Sequence, residues 1–411
     1  MALYQDKVVF RFNSVYDSVN MKTFYWYFRP VAIILKMFGV FPIQNVTTLD
    51  TSHLQFRFFS CSFLYSLIIF CLYASIICFI SGFILYNPET EKYLTYVVCS
   101  ITGRSIISYL FCFRKYRELP RLIRLLDTFD QKKNKILITY STGKYTMLYQ
   151  TVISKSAAIV GLALSSYHSS ELIRSILSPT IKEMYISSLV SVFFSFLTTW
   201  QLYPSFLYIY FAVKIKCNFQ EINKTLELRN ITHDYFNTVI KYDSDTHQTL
   251  ADVRTLHNML SECVHELGKC YGTYIAIDHL CMIVFLVLSI SVFLYESNHD
   301  IHLLFLTLGH VVILMNTIFT SESLKETGSE VINLLHGIPS TAISEKCQLE
   351  INVFLTQLVA RPIQVSAAGY FILDKNQTLA IMSAVATYII VVVQFVQTSP
   401  PCNLTNVTSI K

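Results

Sequence analysis

The sequence predicts an all-α integral membrane protein with seven transmembrane helices, a cytosolic N-terminus and an extracellular C-terminus. Three observations lead there. The 411 residues are 53% hydrophobic and only 14% charged, far short of the roughly one-quarter charged content of soluble domains. The apolar residues come in blocks of about 20, the length that crosses a hydrocarbon core. Lysine and arginine are dense in alternate connecting segments, which sets orientation.

In chain order, the arm 1–57 is expected to be cytosolic. Its start, MALYQDKVVFRF, lacks the apolar h-region of a signal peptide, so the first span is expected to act as its own insertion signal. Within the arm, Val31–Ile43 (VAIILKMFGVFPI) is too short to span and contains Lys36; an interfacial or re-entrant piece is expected. Spans are expected near Phe58–Tyr86, Tyr93–Phe113, Tyr145–His168, Met184–Val213, Thr273–Tyr295, His302–Ser321 and Asn376–Gln397. The first six fall in a bundle, 58–321, with a cytosolic extension at 214–272. Residues 322–375 form a helix and linker before the last span, 376–397, and the tail 398–411 lies outside.

The basic residues fix that orientation. There are 6 in the arm, 9 in Arg114–Lys144, 7 in Lys214–Gly272 and 4 from Glu322 to Lys375. The opposite side has Lys92, Arg174, Lys182 and Lys411, and Arg104 and Lys155 fall within spans. Seven spans in this sense are inverted relative to a G-protein-coupled receptor, the alternative from another class. The net charge of +5 is dispersed and gives no patch for nucleic acid. Of 11 cysteines only Cys402 falls in an exterior segment, so no disulfide framework is expected. Sequons at Asn403 and Asn406 lie on the expected exterior; those at Asn45, Asn223, Asn230 and Asn376 do not.

The cytosolic segments are patterned. Phe219, Ile222 and Leu226 continue a helical stripe after the fourth span. Leu250, Val253, Leu256, Leu260, Val264 and Leu267 recur at three- and four-residue spacing before the fifth, one apolar face of a helix. RNITHDYFNTVIKYDSD between them is expected to be a loop, and Ala342–Leu358 is a third amphipathic candidate. Such helices either pack on one another or a neighbouring subunit, or lie on the membrane surface.

Before the last span, Asp374 or Asn376 is placed to cap a helix. Inside it Ser383, Thr387 and Gln394 stand 4 and 7 residues apart, on one stripe. Two readings fit. The stripe hydrogen-bonds between packed helices, or it faces a wet lumen that several copies line, with Gln394 as a polar ring and Val391 or Phe395 as a constriction that closes by dewetting.

The run TYIIVVVQF (387–395) resembles the Thr-Tyr, five hydrophobic residues, Gln-Phe signature that closes insect gustatory receptors. The preceding SAAGYFILD is similar to the family's segment joining the two halves of the seventh helix. The resemblance implies a ligand-gated, non-selective cation channel of four identical or related subunits in the plasma membrane of sensory neurons. Thr387, Tyr388, Gln394 and Phe395 would be signature positions, with Gln394 and Phe395 at the narrow part of the pore. The cytosolic helices would form a central anchor, and the six-helix bundle would bind a small-molecule tastant. Ser383, Thr387, Val391, Gln394 and Phe395 are therefore the candidate pore and gate residues.

For a pocket open to the outside, polar or aromatic residues no deeper than mid-span qualify: Tyr96, Arg104, Tyr167, His168, Tyr185, Ser188, Phe305 and His310. An ionisable group inside a membrane favours Arg104 as functional. The aromatics serve equally as interface anchors, and His310 as a packing histidine; Asp278 and His279 are placed to pair within the bundle. Sugar-responsive family members carry Glu after the Thr-Tyr pair, where this chain has Ile389. Bitter plant compounds are thus the expected ligands, with fructose-type sugars the alternative.

No enzyme is expected. His257, Cys263 and His265 are close on one helix, but an amphipathic packed surface explains them. No phosphate loop or HExxH run is present, no metal or cofactor is implied, and no internal repeat suggests a transporter.

Overall fold

The computed structural model describes residues 23–86, 100, 103–107, 109–110, 116–136, 184–235, 243–295, 301–338 and 343–398. Helix dominates them. The elements are α1 (Phe24–Met37), a 3₁₀ turn (Thr51–His53), α2 (Cys61–Tyr86), α3 (Leu119–Ile136), α4 (Met184–Tyr235), α5 (Asp243–Tyr295) and α6 (Ile301–His336). Then come α7 (Glu345–Ala360), the strands β1 (Ser366–Ala367) and β2 (Phe371–Ile372), and α8 (Lys375–Thr398). Among the described residues three stretches, His247–Phe293, Leu304–His336 and Lys375–Gln394, contain windows long and apolar enough to cross a membrane. Residues 100, 103–107 and 109–110 of the expected second span are helical. The expected third span and the tail beyond residue 398 lie outside the described residues.

The lengths of α4 and α5, 52 and 53 residues, are the defining feature. At 1.5 Å per residue each runs ~80 Å, whereas a hydrocarbon core is ~30 Å thick. Each rod therefore leaves the membrane and becomes part of an extramembrane core. The sequence from 205 to 235 has neither proline nor glycine, so nothing stops the helix where the apolar run ends. The loop expected at RNITHDYFNTVIKYDSD is accordingly a correction: α4 is helical through Tyr235, and α5 begins at Asp243.

The core forms where α3, α4, α5, α6 and α7 meet beyond the apolar windows. Leu126, Phe129, Phe219, Leu256, Leu260, Val331 and Phe354 are fully buried there. Leu250, Val253, Leu256, Leu260, Val264 and Leu267, read from the sequence as one face, are all buried. The stretch expected at Ala342–Leu358 is α7, whose Ser344 side chain accepts from Cys347 N–H as N-cap. α7 packs on α5 and α6. His257 is buried between the Phe219 and Phe354 rings, with Nε2 3.1 Å from the Gly328 carbonyl. Cys263 is buried and His265 exposed, so that trio does not converge, and among the described residues no His/Cys/Asp/Glu group is arranged for a metal.

Two elements differ from the sequence reading. The segment Arg114–Lys144, treated as a connecting loop, contains α3; Leu119, Leu122, Ile123, Leu126 and Phe129 face the core, Arg121, Arg124, Lys132 and Lys135 are exposed, and Lys133 turns inward. Of the apolar run Val31–Ile43, the part up to Met37 belongs to a helix that starts seven residues earlier. α1 buries Phe24, Tyr25, Phe28 and Ala32, and the Phe28 ring lies 5.3 Å from that of Phe211. Beyond α1, Gly39 adopts φ +72 and a Cβ there would sit 2.9 Å from Ile69, so the turn is pressed against α2. Tyr65 of α2 donates to the Met37 carbonyl, 2.6 Å away.

A charge network ties α3 to α4. Lys133 Nζ is 2.7 Å from Glu221 and 3.6 Å from Asp130, and Lys214 Nζ is 3.2 Å from Asp130. Burial opposes the charge on Lys133, yet Asp130 and Glu221 together hold its pKa above the ordinary lysine value. Lys133→Ala would leave Asp130 with Lys214 and take from Glu221 its ion-pair partner among the described residues. A loss of about 2 kcal/mol is expected, the scale of a hydrogen bond to a charged group, read as a lowered Tm of the purified receptor. Asn223, one of the sequons, is buried and donates to the Thr327 carbonyl and to Glu330, which bars glycosylation there.

Candidate functional site

The candidate pore helix α8 begins at Asp374, whose Oδ1 accepts from Asn376 N–H at 3.0 Å. This is an aspartate cap of the kind that satisfies a first-turn donor. Two ion pairs pin the same end to α6: Asp374 with Lys325 at 3.7 Å, and Lys375 with Glu322 at 3.9 Å. From there α8 runs beside α5 and α6, yet only 6% of its most apolar window is buried. Ile381 is its sole buried apolar residue among those described.

The position of Ile381 orients the polar stripe. At about 100° per residue, Ser383, Thr387 and Gln394 stand about 120–160° around the helix from it. All three are exposed, as is Val391. Thr387 Oγ1 donates to the Ser383 carbonyl at 2.8 Å, which leaves its oxygen lone pairs turned outward. Tyr388 is exposed at 55%. Phe395 is helical, but its side chain lies outside the described residues. The chain's own bundle thus takes the aliphatic side of α8, and the stripe points away from it.

Inside the bundle, Arg104 meets α5. Its Nε and Nη2 donate to Asp278 Oδ1 at 2.9 and 2.7 Å, and Nη1 lies 2.7 Å from the Met282 sulfur. The two charged side chains are 4% and 7% exposed, so each neutralises the other where water cannot. Farther along, Tyr208 and Ser321 hydrogen-bond at 2.6 Å between α4 and α6, and Ser205 and Tyr274 at 2.9 Å between α4 and α5. His310 is buried against Phe285, with Nδ1 2.9 Å from the Leu306 carbonyl. Ser66 and Ser289 are buried with hydroxyl oxygens that make no hydrogen bond among the described residues.

Of the pocket residues expected from the sequence, Arg104 and His310 are therefore each buried in the interior, and Phe305 is exposed. Tyr185 and Ser188 are on α4 with side chains outside the described residues; Tyr96, Tyr167 and His168 lie outside them altogether. Asp278, expected to pair within the bundle, has Arg104 as its partner. Its neighbour His279 instead stacks on Phe371 of β2, ring centroids 5.8 Å apart.

That strand belongs to an element the sequence reading did not resolve. SAAGYFILD forms a two-stranded antiparallel hairpin, Ser366 opposite Ile372 and Ala367 opposite Phe371, turning through Ala368 (φ 54) and Gly369 (φ 86). The adjacent Ala-Gly, with a glycine free to take positive φ, was the available signal.

A family profile described as 7tm chemosensory receptor matches residues 28–399. The gustatory receptor for sugar taste 64b of Drosophila melanogaster is 24% identical over 403 residues, covering 89% of this chain and 93% of that one. The solved insect olfactory receptor from Machilis hrabei in complex with eugenol superposes with a TM-score of 0.66 at 14% identity, over 90% of this chain and 98% of that chain. A second solved structure of that receptor gives a TM-score of 0.61 at 14% identity over the same shares.

Proposed function

The chain belongs to the 7tm chemosensory receptor family, and from that premise we propose that it is a tastant-gated, non-selective cation channel. Four identical or related subunits surround one pore, each contributing α8, in the plasma membrane of sensory neurons. The N-terminus is cytosolic and the C-terminus extracellular, as the distribution of basic residues supports. The observation that carries the reading is the stripe Ser383, Thr387, Gln394 on a helix hardly buried by its own chain, turned away from its own bundle. Polar side chains are costly in acyl chains. They are at ease if symmetry copies meet them across water, with Gln394 as a neutral ring and Val391 or Phe395 as the dewetting constriction.

Bitter plant compounds are the first ligand class, on the Ile389 position. A sugar is the second reading, favoured by the 24% identity to a receptor named for sugar taste. Voltage-clamp recording from cells expressing the full chain, with a panel of sugars and bitter compounds, tests both. Fast current without second messengers is expected, and Gln394→Ala or Phe395→Ala should change ion permeability ratios or resting leak at normal surface expression. Currents identical to wild type in both variants would remove α8 from the pore. Antibody access to a C-terminal tag on intact cells checks the orientation.

A further inference from the structure

The linker between α7 and α8 is seated on α5 by residues for which the pore reading supplies no role. Gly268, Gly272 and His279 are 4 and 7 residues apart, which places them on one stripe of α5. The hairpin lies along that stripe. A Cβ on Gly272 would stand 2.5 Å from the Ser366 carbonyl oxygen and 2.7 Å from Ala368 N, backbone atoms with no room to give. One turn away, a Cβ on Gly268 would make ordinary contact, 3.6 Å from the Ser366 oxygen. Two turns beyond Gly272, the His279 ring stacks on Phe371 at 16° between planes. Three residues after Phe371 comes Asp374, the cap of α8, paired to Lys325.

The same turn of α5 faces two ways. Asp278 holds Arg104, and His279, about 100° round the helix, holds the hairpin. We propose that His279 and Gly272 are positioning residues for gating: they hold the 366–372 hairpin on α5, so that a movement of α5 against the helix bearing Arg104 is delivered to the entry of α8. This rests on the channel reading above. The hairpin connects directly to α8, because only Leu373 separates Ile372 from the capping Asp374. A shift of β2 therefore moves the first turn of α8 with it. Gly272 acts by absence of a side chain, which lets backbone meet backbone; His279 acts by ring contact, at a separation typical of offset aromatic pairs.

The test is a variant series in the full chain, recorded under voltage clamp with surface biotinylation. His279→Ala, Phe371→Ala and Gly272→Ala are each expected to shift the half-maximal agonist concentration by about threefold or more, the size of one lost aromatic pair, and to alter resting leak. His279→Ala combined with Phe371→Ala should do no more than either alone, because one contact is lost in all three cases. His279→Phe, which keeps a ring, should restore the wild-type response, and Gly268→Ala should be silent. Additive effects of the two alanines, failure of the phenylalanine rescue, or equal effects of the two glycine variants would overturn the proposal.

A wild-type protein that reaches the surface and passes no current for any compound would count against the channel reading instead. The seat is then read by hydrogen–deuterium exchange of the purified chain. Faster exchange in His279→Ala at both the hairpin amides and the first turn of α8 supports it; no change, or change in the hairpin alone, refutes it.

Discussion

Asp278→Ala is expected to abolish surface expression or lower the Tm of the purified receptor sharply. The substitution leaves the Arg104 guanidinium in the bundle interior, 4% exposed, without the carboxylate that receives its Nε and Nη2. Removing one partner of a buried ion pair costs about 3–5 kcal/mol, because the survivor keeps its desolvation penalty and loses the compensating field. Replacing both, as Arg104→Met with Asp278→Leu, removes the penalty along with the attraction, and such apolar pairs are often neutral or better. The double variant should therefore recover most of the lost Tm. It also separates two roles for Arg104. A double variant that is folded, present at the surface and normally responsive to agonist makes the arginine a structural element. One that is folded and at the surface but unresponsive assigns it to ligand recognition or coupling. Wild-type Tm in the single Asp278→Ala variant would show that the pair does not hold the bundle.

The second large effect is expected at Phe354→Ala. The ring is fully buried where α7 docks, with the His257 ring 5.4 Å away at 72°. Deleting a buried phenylalanine costs about 3–5 kcal/mol, the transfer term plus the cavity. The remaining anchors of the 16-residue α7, Cys347, Ile351 and Leu358, are smaller. Half of that helix is open to solvent in the single chain, with Leu349, Val353 and Val359 exposed. α7 is therefore expected to loosen before the membrane helices do. Limited proteolysis should cut the 338–362 region of the variant first, and its fluorescence size-exclusion profile should broaden. A variant with an intact α7 and unchanged Tm would mean that the helix is held by contacts other than Phe354.

These residues also mark where sequence reading works. The stripe on α8, its cap and the apolar face of α5 are local: residues 3, 4 or 7 apart share a helix face whatever the rest of the chain does, so periodicity places them. α3 carries the same kind of signal in Leu122, Ile123, Leu126 and Phe129. It was obscured because Arg121, Arg124 and the lysines at 132, 133 and 135 identify the segment first as a basic connection. The run at 229–245 misled for a different reason. Its polar residues read as loop, but as far as Tyr235 a chain without helix breakers continues along a rod already nucleated by the apolar half.

The contacts that matter most to the site are of another kind. Arg104 and Asp278 are 174 positions apart; their signs and their intramembrane placement argue that each needs a partner, but only topology makes them partners. The same holds for His279 with Phe371, and for Gly272, whose value is visible only once a backbone is found lying across it.

One consequence of the unbroken α5 is mechanical. A 53-residue helix free of proline bends little, so a tilt of about 3° around its midpoint displaces each tip by ~2 Å, given the 1.5 Å rise. Such a rod works as a lever. Small rocking at one end arrives, undiminished and reversed in direction, at the other, without any relay of side chains in between.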